Sequence, residues 1–83
     1  MLVITQKPEE VVACIKENTH HDATKFTGVG CHTGLEKTML YSVVSSDQEK
    51  FIVKEIKEID PEAFINILQS KDINGKFFMR KND

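Results

Sequence analysis

The sequence has little cysteine, no long apolar run and no surplus of positive charge, and each shortage excludes something. Two cysteines, Cys14 and Cys31, fall far short of a disulfide framework or a four-ligand zinc site. Reduced thiols in a cytosolic setting are the expectation. No stretch approaches the ~18 consecutive apolar residues of a membrane-crossing helix. The opening MLVITQKPEE is brief and lacks a basic flank, so it carries no sign of an export signal. The formal net charge is −2 with no basic stripe, which argues against nucleic acid as a partner. A Walker loop is missing too, since no G-x4-G-K-[ST] run leads into a helix.

What is present fits one ordinary globular domain over residues 1–83. Apolar residues make up 40% and charged residues 29%, a balance that excludes disorder. A chain of 83 residues buries only roughly 60–65% of the surface its unfolded form exposes, so modest stability is expected.

The most informative stretch is GVGCHTGLEK, from Gly28 to Lys37, with TMLYSVVS directly behind it. Three of the four glycines stand there, at 28, 30 and 34. Without a Cβ the backbone can take positive φ or accept close approach, so Thr33-Gly34 reads as a turn between two strands. In the strand that follows, Thr38 to Ser45, Met39, Tyr41 and Val43 point to one face and Leu40 and Val44 to the other. Both faces of that strand therefore need cover.

In chain order, MLVIT is a short β-branched first strand. Pro8 then opens a helix of about ten residues, with Glu9 and Glu10 at the positive end of its dipole and Val11, Val12 and Ile15 as its inward stripe. Ala23 to Cys31 forms the second strand and Thr38 to Ser45 the third. Ser46 with Glu49 satisfies the capping-box pattern for a second helix, whose apolar positions Ile52, Ile56 and Ile59 recur until Asp60-Pro61 stops it. Ala63 to Leu68 is the last strand, and KDINGKFFMRKND closes the chain.

The order β-α-β-β-α-β is that of the ferredoxin-like α+β sandwich, an antiparallel sheet with both helices on one face. Leu2 with Ile4, Val3 with Met1, Met39 with Tyr41 and Val43, and Ile65 with Ile67 put apolar groups on both sides of that sheet. Two helices cover one side only. A homo-oligomer interface including Met39, Tyr41 and Val43 is therefore expected on the other.

The motif AT-x3-G-x-G-x2-TG-x-EK from Ala23, followed by VVS, KEIDPEAF and G-x-FF, closely resembles the small C-terminal domain of unknown function in YitT-type bacterial membrane proteins. Thr24, Gly28, Gly30, Thr33, Gly34, Glu36, Lys37, Ile59, Asp60, Pro61, Ala63 and Phe64 match the family pattern, and the resemblance spans nearly the whole chain. It implies a ferredoxin-like arrangement similar to the GlnB or PII signalling proteins, which form trimers with ligand clefts between subunits. It also implies a position on the cytoplasmic side of the cell membrane, attached to a multi-helix membrane region of a longer protein. The chain departs from the pattern at Cys31 and His32, where the family commonly has a small residue and a tyrosine. His21-Asp22 likewise replaces a frequent basic residue and glycine.

The glycine loop has two readings of equal weight: an anion-cradling nest of N–H groups with Lys37 adding charge, or a hairpin whose glycines only permit twist and bulging. The resemblance favours binding. His20, His21 and His32 with Cys31 match no zinc spacing, and Cys31 beside His32 on a strand would point to opposite faces, so neither a metal site nor a catalytic residue is expected. No cofactor is expected either. The resulting expectation is a non-enzymatic regulatory or ligand-sensing domain, trimeric with a dimer as the alternative. Its intersubunit clefts would bind a small anionic metabolite, a nucleotide in particular, through Gly28, Gly30, Thr33, Gly34, Glu36, Lys37, Asp60, Pro61, Phe64, Gly75 and Phe77. The alternative is a purely structural oligomerisation domain without a ligand; a thiol- or metal-dependent enzyme is the outsider.

Overall fold

The structure, a computed structural model, describes residues 1–75. Its elements follow in the order β1 (Leu2–Thr5), α1 (Pro8–Thr19), β2 (Thr24–Val29), β3 (Glu36–Tyr41), α2 (Ser46–Ile59) and β4 (Phe64–Asn66). The four strands form one sheet in the order β2-β3-β1-β4, with every neighbouring pair antiparallel. This is the ferredoxin-like α+β arrangement: each helix links two parallel strands that another strand separates, so both crossovers set their helices on the same face.

The helices form where their apolar spacing demands. Val11 and Ile15 of α1 and Ile52 and Ile56 of α2 are fully buried, and they meet Val3 and Leu40 of the two central strands. Each such side chain contributes about 1.5–3 kcal/mol by leaving water. Pro8 opens α1, and His20 ends it in the left-handed conformation, its N–H donating to the Lys16 carbonyl. Asp60 ends α2 in an extended conformation.

Four details differ from the sequence reading. The second strand covers Thr24–Val29 rather than Ala23 to Cys31, because the chain turns from Cys31. Ser46 is the first helical residue of α2 and Ser45 its cap, yet no side-chain cap bond forms; the Ser45 hydroxyl is buried without a partner, so the Ser46/Glu49 capping box does not exist. The third strand begins earlier than Thr38 and ends at Tyr41. Its pairing with the β1 side finishes where the Ser42 N–H donates to the Met1 carbonyl, and no strand pairing among the described residues continues past it. For the same reason the last strand covers only Phe64–Asn66, the stretch that lies beside Leu2 to Ile4, rather than Ala63 to Leu68.

β2 is exposed along its whole length. The helices pair with each other over β1 and β3, and the β2–β3 ribbon continues past their cover. On the face away from the helices, register brings Phe26, Met39, Ile4 and Phe64 into one row across all four strands, with Tyr41 and Leu2 paired in the next. Phe26 is 49%, Tyr41 46% and Phe64 63% exposed. Half of the sheet is thus apolar and open.

Candidate functional site

Two stretches far apart in sequence converge at one end of the sheet. Val3 and Ile4 of β1 lie between Met39–Leu40 and Phe64–Ile65, so the base of the β2–β3 hairpin and the α2–β4 loop flank the end of β1. The cleft between them has a volume of about 830 Å³. Ile4, Leu35, Pro8 and Phe64 supply its apolar surface, and Thr5, Gln6, Glu9, Glu36, Lys37, Thr38, Asp60 and Glu62 its polar groups. Four carboxylates therefore stand with one lysine.

Asp60 is the most constrained of these groups. It is 7% exposed, and its carboxylate accepts hydrogen bonds from the Thr5 hydroxyl at 2.7 Å, the Gln6 N–H at 3.2 Å and the Glu62 N–H at 3.1 Å. The Thr5 hydroxyl is the main cause of a pKa below the usual aspartate value, and the two amides and Lys7 act in the same direction against burial. The Lys7 ammonium meanwhile donates to the Ile59 carbonyl at the end of α2. Asp60 thereby ties the end of β1 to the end of α2.

Of the residues singled out in the sequence, Glu36, Lys37, Asp60 and Phe64 come together in this cleft. Pro61 lies in the same loop, between Asp60 and Glu62. Gly28 stands opposite Lys37 in the ribbon, while Gly30, Thr33 and Gly34 form the turn beyond it. That turn is held by its own bonds: Gly30 N–H to the Leu35 carbonyl and Gly34 N–H to the Gly30 carbonyl, both 2.8 Å, and Leu35 N–H to the Thr33 hydroxyl at 3.2 Å. Those three amides are spent inside the turn and are not free for an anion. Gly34 has φ +72°, and a Cβ on Gly30 would lie 2.7 Å from the Thr33 hydroxyl oxygen, so both glycines answer a local backbone need.

Gly75 follows Ile73, which lines a second pocket at the opposite end of the sheet, and Phe77 lies outside the described residues. Met39 and Tyr41 lie on the open face, and Tyr41 and Val43 line that second pocket. Cys31 and His32 lie in the turn, not on a strand, so strand alternation does not separate them; both are exposed. Burial pushes the Cys14 thiol above its usual pKa, with Glu55 adding to the effect. Among the described residues no group of histidine, cysteine and carboxylate side chains is arranged to hold a metal ion.

Sequence reading missed Ile4, Thr5, Gln6, Pro8, Glu9, Leu35, Thr38 and Glu62. Leu35 and Glu62 lie between residues it named, and continuity could have found them. Glu9 and Gln6 reach the cleft only because β1 runs between the two other segments, which no local pattern announces.

Comparison with known proteins is decisive for kinship. Residues 21–75 match a family described as an uncharacterized protein conserved in bacteria, DUF2179. The chain belongs to this family. Over 81 residues it is 31% identical to the UPF0750 membrane protein YitT of Bacillus subtilis strain 168, a match covering 98% of this chain and 28% of that protein. It is 30% identical over 81 residues to the uncharacterized protein MG443 of Mycoplasma genitalium, covering 96% and 20% of the two chains. With the UPF0750 membrane protein YvjA of Bacillus subtilis it shares 25% identity over 79 residues, 95% of this chain and 28% of the other. The chain thus spans between a fifth and under a third of the length of these relatives, and the DUF2179 domain is an uncharacterized part of YitT-type membrane proteins. No helix among the described residues is long and apolar enough to cross a membrane. No solved structure matches the chain.

Proposed function

We propose that this DUF2179 domain is a non-enzymatic, ligand-sensing regulatory module on the cytoplasmic side of a membrane protein. It self-associates through its open sheet face, and its cleft binds a small anionic metabolite of the nucleotide class. The convergence of Lys37, Phe64 and Ile4 in one cleft carries this reading, because it sets the one cation, which must hold the anion against the cleft's four carboxylates, beside an aromatic and an aliphatic surface. A planar ring suits Phe64 and Ile4, the anionic group goes to Lys37, and Glu9, Glu36 and Glu62 accept from amino and hydroxyl donors. Bound ligand then biases the attached membrane region by its different affinity for two arrangements of the module. A thermal-shift screen of nucleotides and inorganic anions tests it: a hit stabilises by mass action, and Lys37→Ala abolishes the gain. No stabilisation by any compound in the screen defeats the ligand reading.

A structural assembly domain without ligand is the second reading. The Asp60 carboxylate favours it, since that group is already satisfied by three donors of the protein itself. It expects the same self-association with no response to any compound.

A further inference from the structure

We propose that the tip of the β2–β3 hairpin of one copy docks into the pocket at the far end of the sheet of the next copy, joining them head to tail. The inference rests on the reading that the domain self-associates, and it specifies how.

The hairpin is an arm. Its last cross-connection to the rest of the sheet is Thr38 opposite Thr5, so residues 28–37 extend about 10 Å further as a bare two-stranded ribbon. An isolated ribbon is at best marginally stable in water. This one ends in Val29 and Leu35, 66% and 65% exposed, Leu35 standing also at the edge of the cleft in its own copy. From Val29 to Leu35 runs VGCHTGL, seven residues without a carboxylate, lysine or arginine in a chain that is 29% charged. An uncharged tip with two apolar knobs loses little by leaving water.

The opposite end of the sheet holds the matching depression. A pocket of about 680 Å³ is lined by Leu2, Tyr41, Val43, Ile67, Leu68 and Ile73 together with three serines and a glutamine, and Glu49 is its one charged side chain among the described residues. Leu68 is 60%, Tyr41 46% and Ile73 45% exposed. A knob at one end and a hole at the other make a tip-to-pocket contact, which closes into a ring when the rotation allows or, when reciprocated, into a two-fold pair.

Area argues for the same second copy. Strands of four, six, six and three residues set ~4.8 Å apart give the open face a footprint of about 300 Å², well under half of the ~800 Å² per partner of a stable interface. The arm supplies the remainder. Docking it also brings the cleft at its base against the neighbouring subunit, so that the ligand site lies at a subunit junction.

The test uses the native thiol in the tip. Full-length chains, all carrying Cys14→Ser, are prepared in two forms: one retaining Cys31, the other carrying Cys31→Ser with either Leu68→Cys or Ile73→Cys. Two rim positions are used because a disulfide needs its Cα atoms within ~7 Å. The forms are mixed and gently oxidised. The expected product is a covalent heterodimer of the two forms, exceeding tip-to-tip links between Cys31 chains. Val29→Asp with Leu35→Asp is expected to weaken association at least tenfold in sedimentation. Assembly that persists with no heterodimer from either rim position, or with tip-to-tip links dominant, overturns the head-to-tail arrangement and leaves open-face association standing. Lone molecules at the highest attainable concentration overturn both.

Discussion

Thr5 and Asp60 stand fifty-five positions apart in the chain, and the Thr5 hydroxyl donates to the Asp60 carboxylate at 2.7 Å. This bond closes the sheet end of the domain. It joins the last residue of β1 to the cap of α2 and forms one wall of the cleft, so the stability of the fold and the shape of the site depend on the same pair. The pair also makes stability depend on pH. Because the folded pKa of Asp60 is lowered, the unfolded chain takes up the proton first. The contribution is complete above the ordinary aspartate range and disappears as pH falls through that range toward the lower folded value. Urea midpoints measured downward from pH 6 should drop below about pH 4, and Asp60→Asn should start lower and lose part of that slope. Parallel curves for the two proteins would remove Asp60 as the titrating group.

The hairpin glycines should not respond alike. Gly34→Ala forces a Cβ into the left-handed region and is expected to cost about 1–2 kcal/mol. Gly28→Ala meets nothing within 4 Å and has no positive φ, so it should be neutral within about 0.5 kcal/mol. Gly30→Ala falls between them, since the Thr33 hydroxyl must move and surrender its bond to the Leu35 N–H. Chemical denaturation of the three variants gives the order directly.

The two faces of β3 give opposite signatures. Leu40→Ala opens a cavity beneath both helices and should lower stability by about 2–5 kcal/mol at any protein concentration. Tyr41→Lys, one residue on, should barely change the fold of the isolated chain but dissociate the assembly. Sedimentation equilibrium alongside urea unfolding separates these effects. A Tyr41→Lys protein that stays assembled would show that the open face is not the contact.

Within the cleft, Phe64→Ala and Lys37→Ala are each expected to weaken a bound nucleotide about tenfold or more, by removing the ring surface and the cation respectively. The joint replacement Cys31→Ser and His32→Ala should leave binding unchanged, since neither residue lines the cleft. Isothermal titration with the best compound from the screen provides the numbers. Equal affinities for all four proteins would place the ligand elsewhere.

Much of the fold was legible because helix periodicity is local. Ile52 and Ile56 announce the buried stripe of α2 one turn apart, and Pro8 with Glu9 and Glu10 announces the start of α1, without reference to any other segment. Strand length was not legible. Val43 and Ile67 have the same strand character as Met39 and Ile65, and what stops β3 and β4 is the short reach of β1 between them. The capping box failed for a related reason: the pattern at Ser46 and Glu49 suits a cap one residue later than the one the packed helix uses.

The amino-acid order alone determined the succession of elements, the side of each helix that turns inward, the position of the hairpin turn and the kinship with DUF2179, because each depends on neighbours a few residues apart. Only the tertiary structure decided that Lys37, Asp60, Phe64 and Ile4 share a cleft, that Asp60 is held by Thr5, and that β2 stands clear of the helices. Those facts follow from which strand lies beside which, and strand order is set by contacts between segments that the linear pattern leaves unpaired.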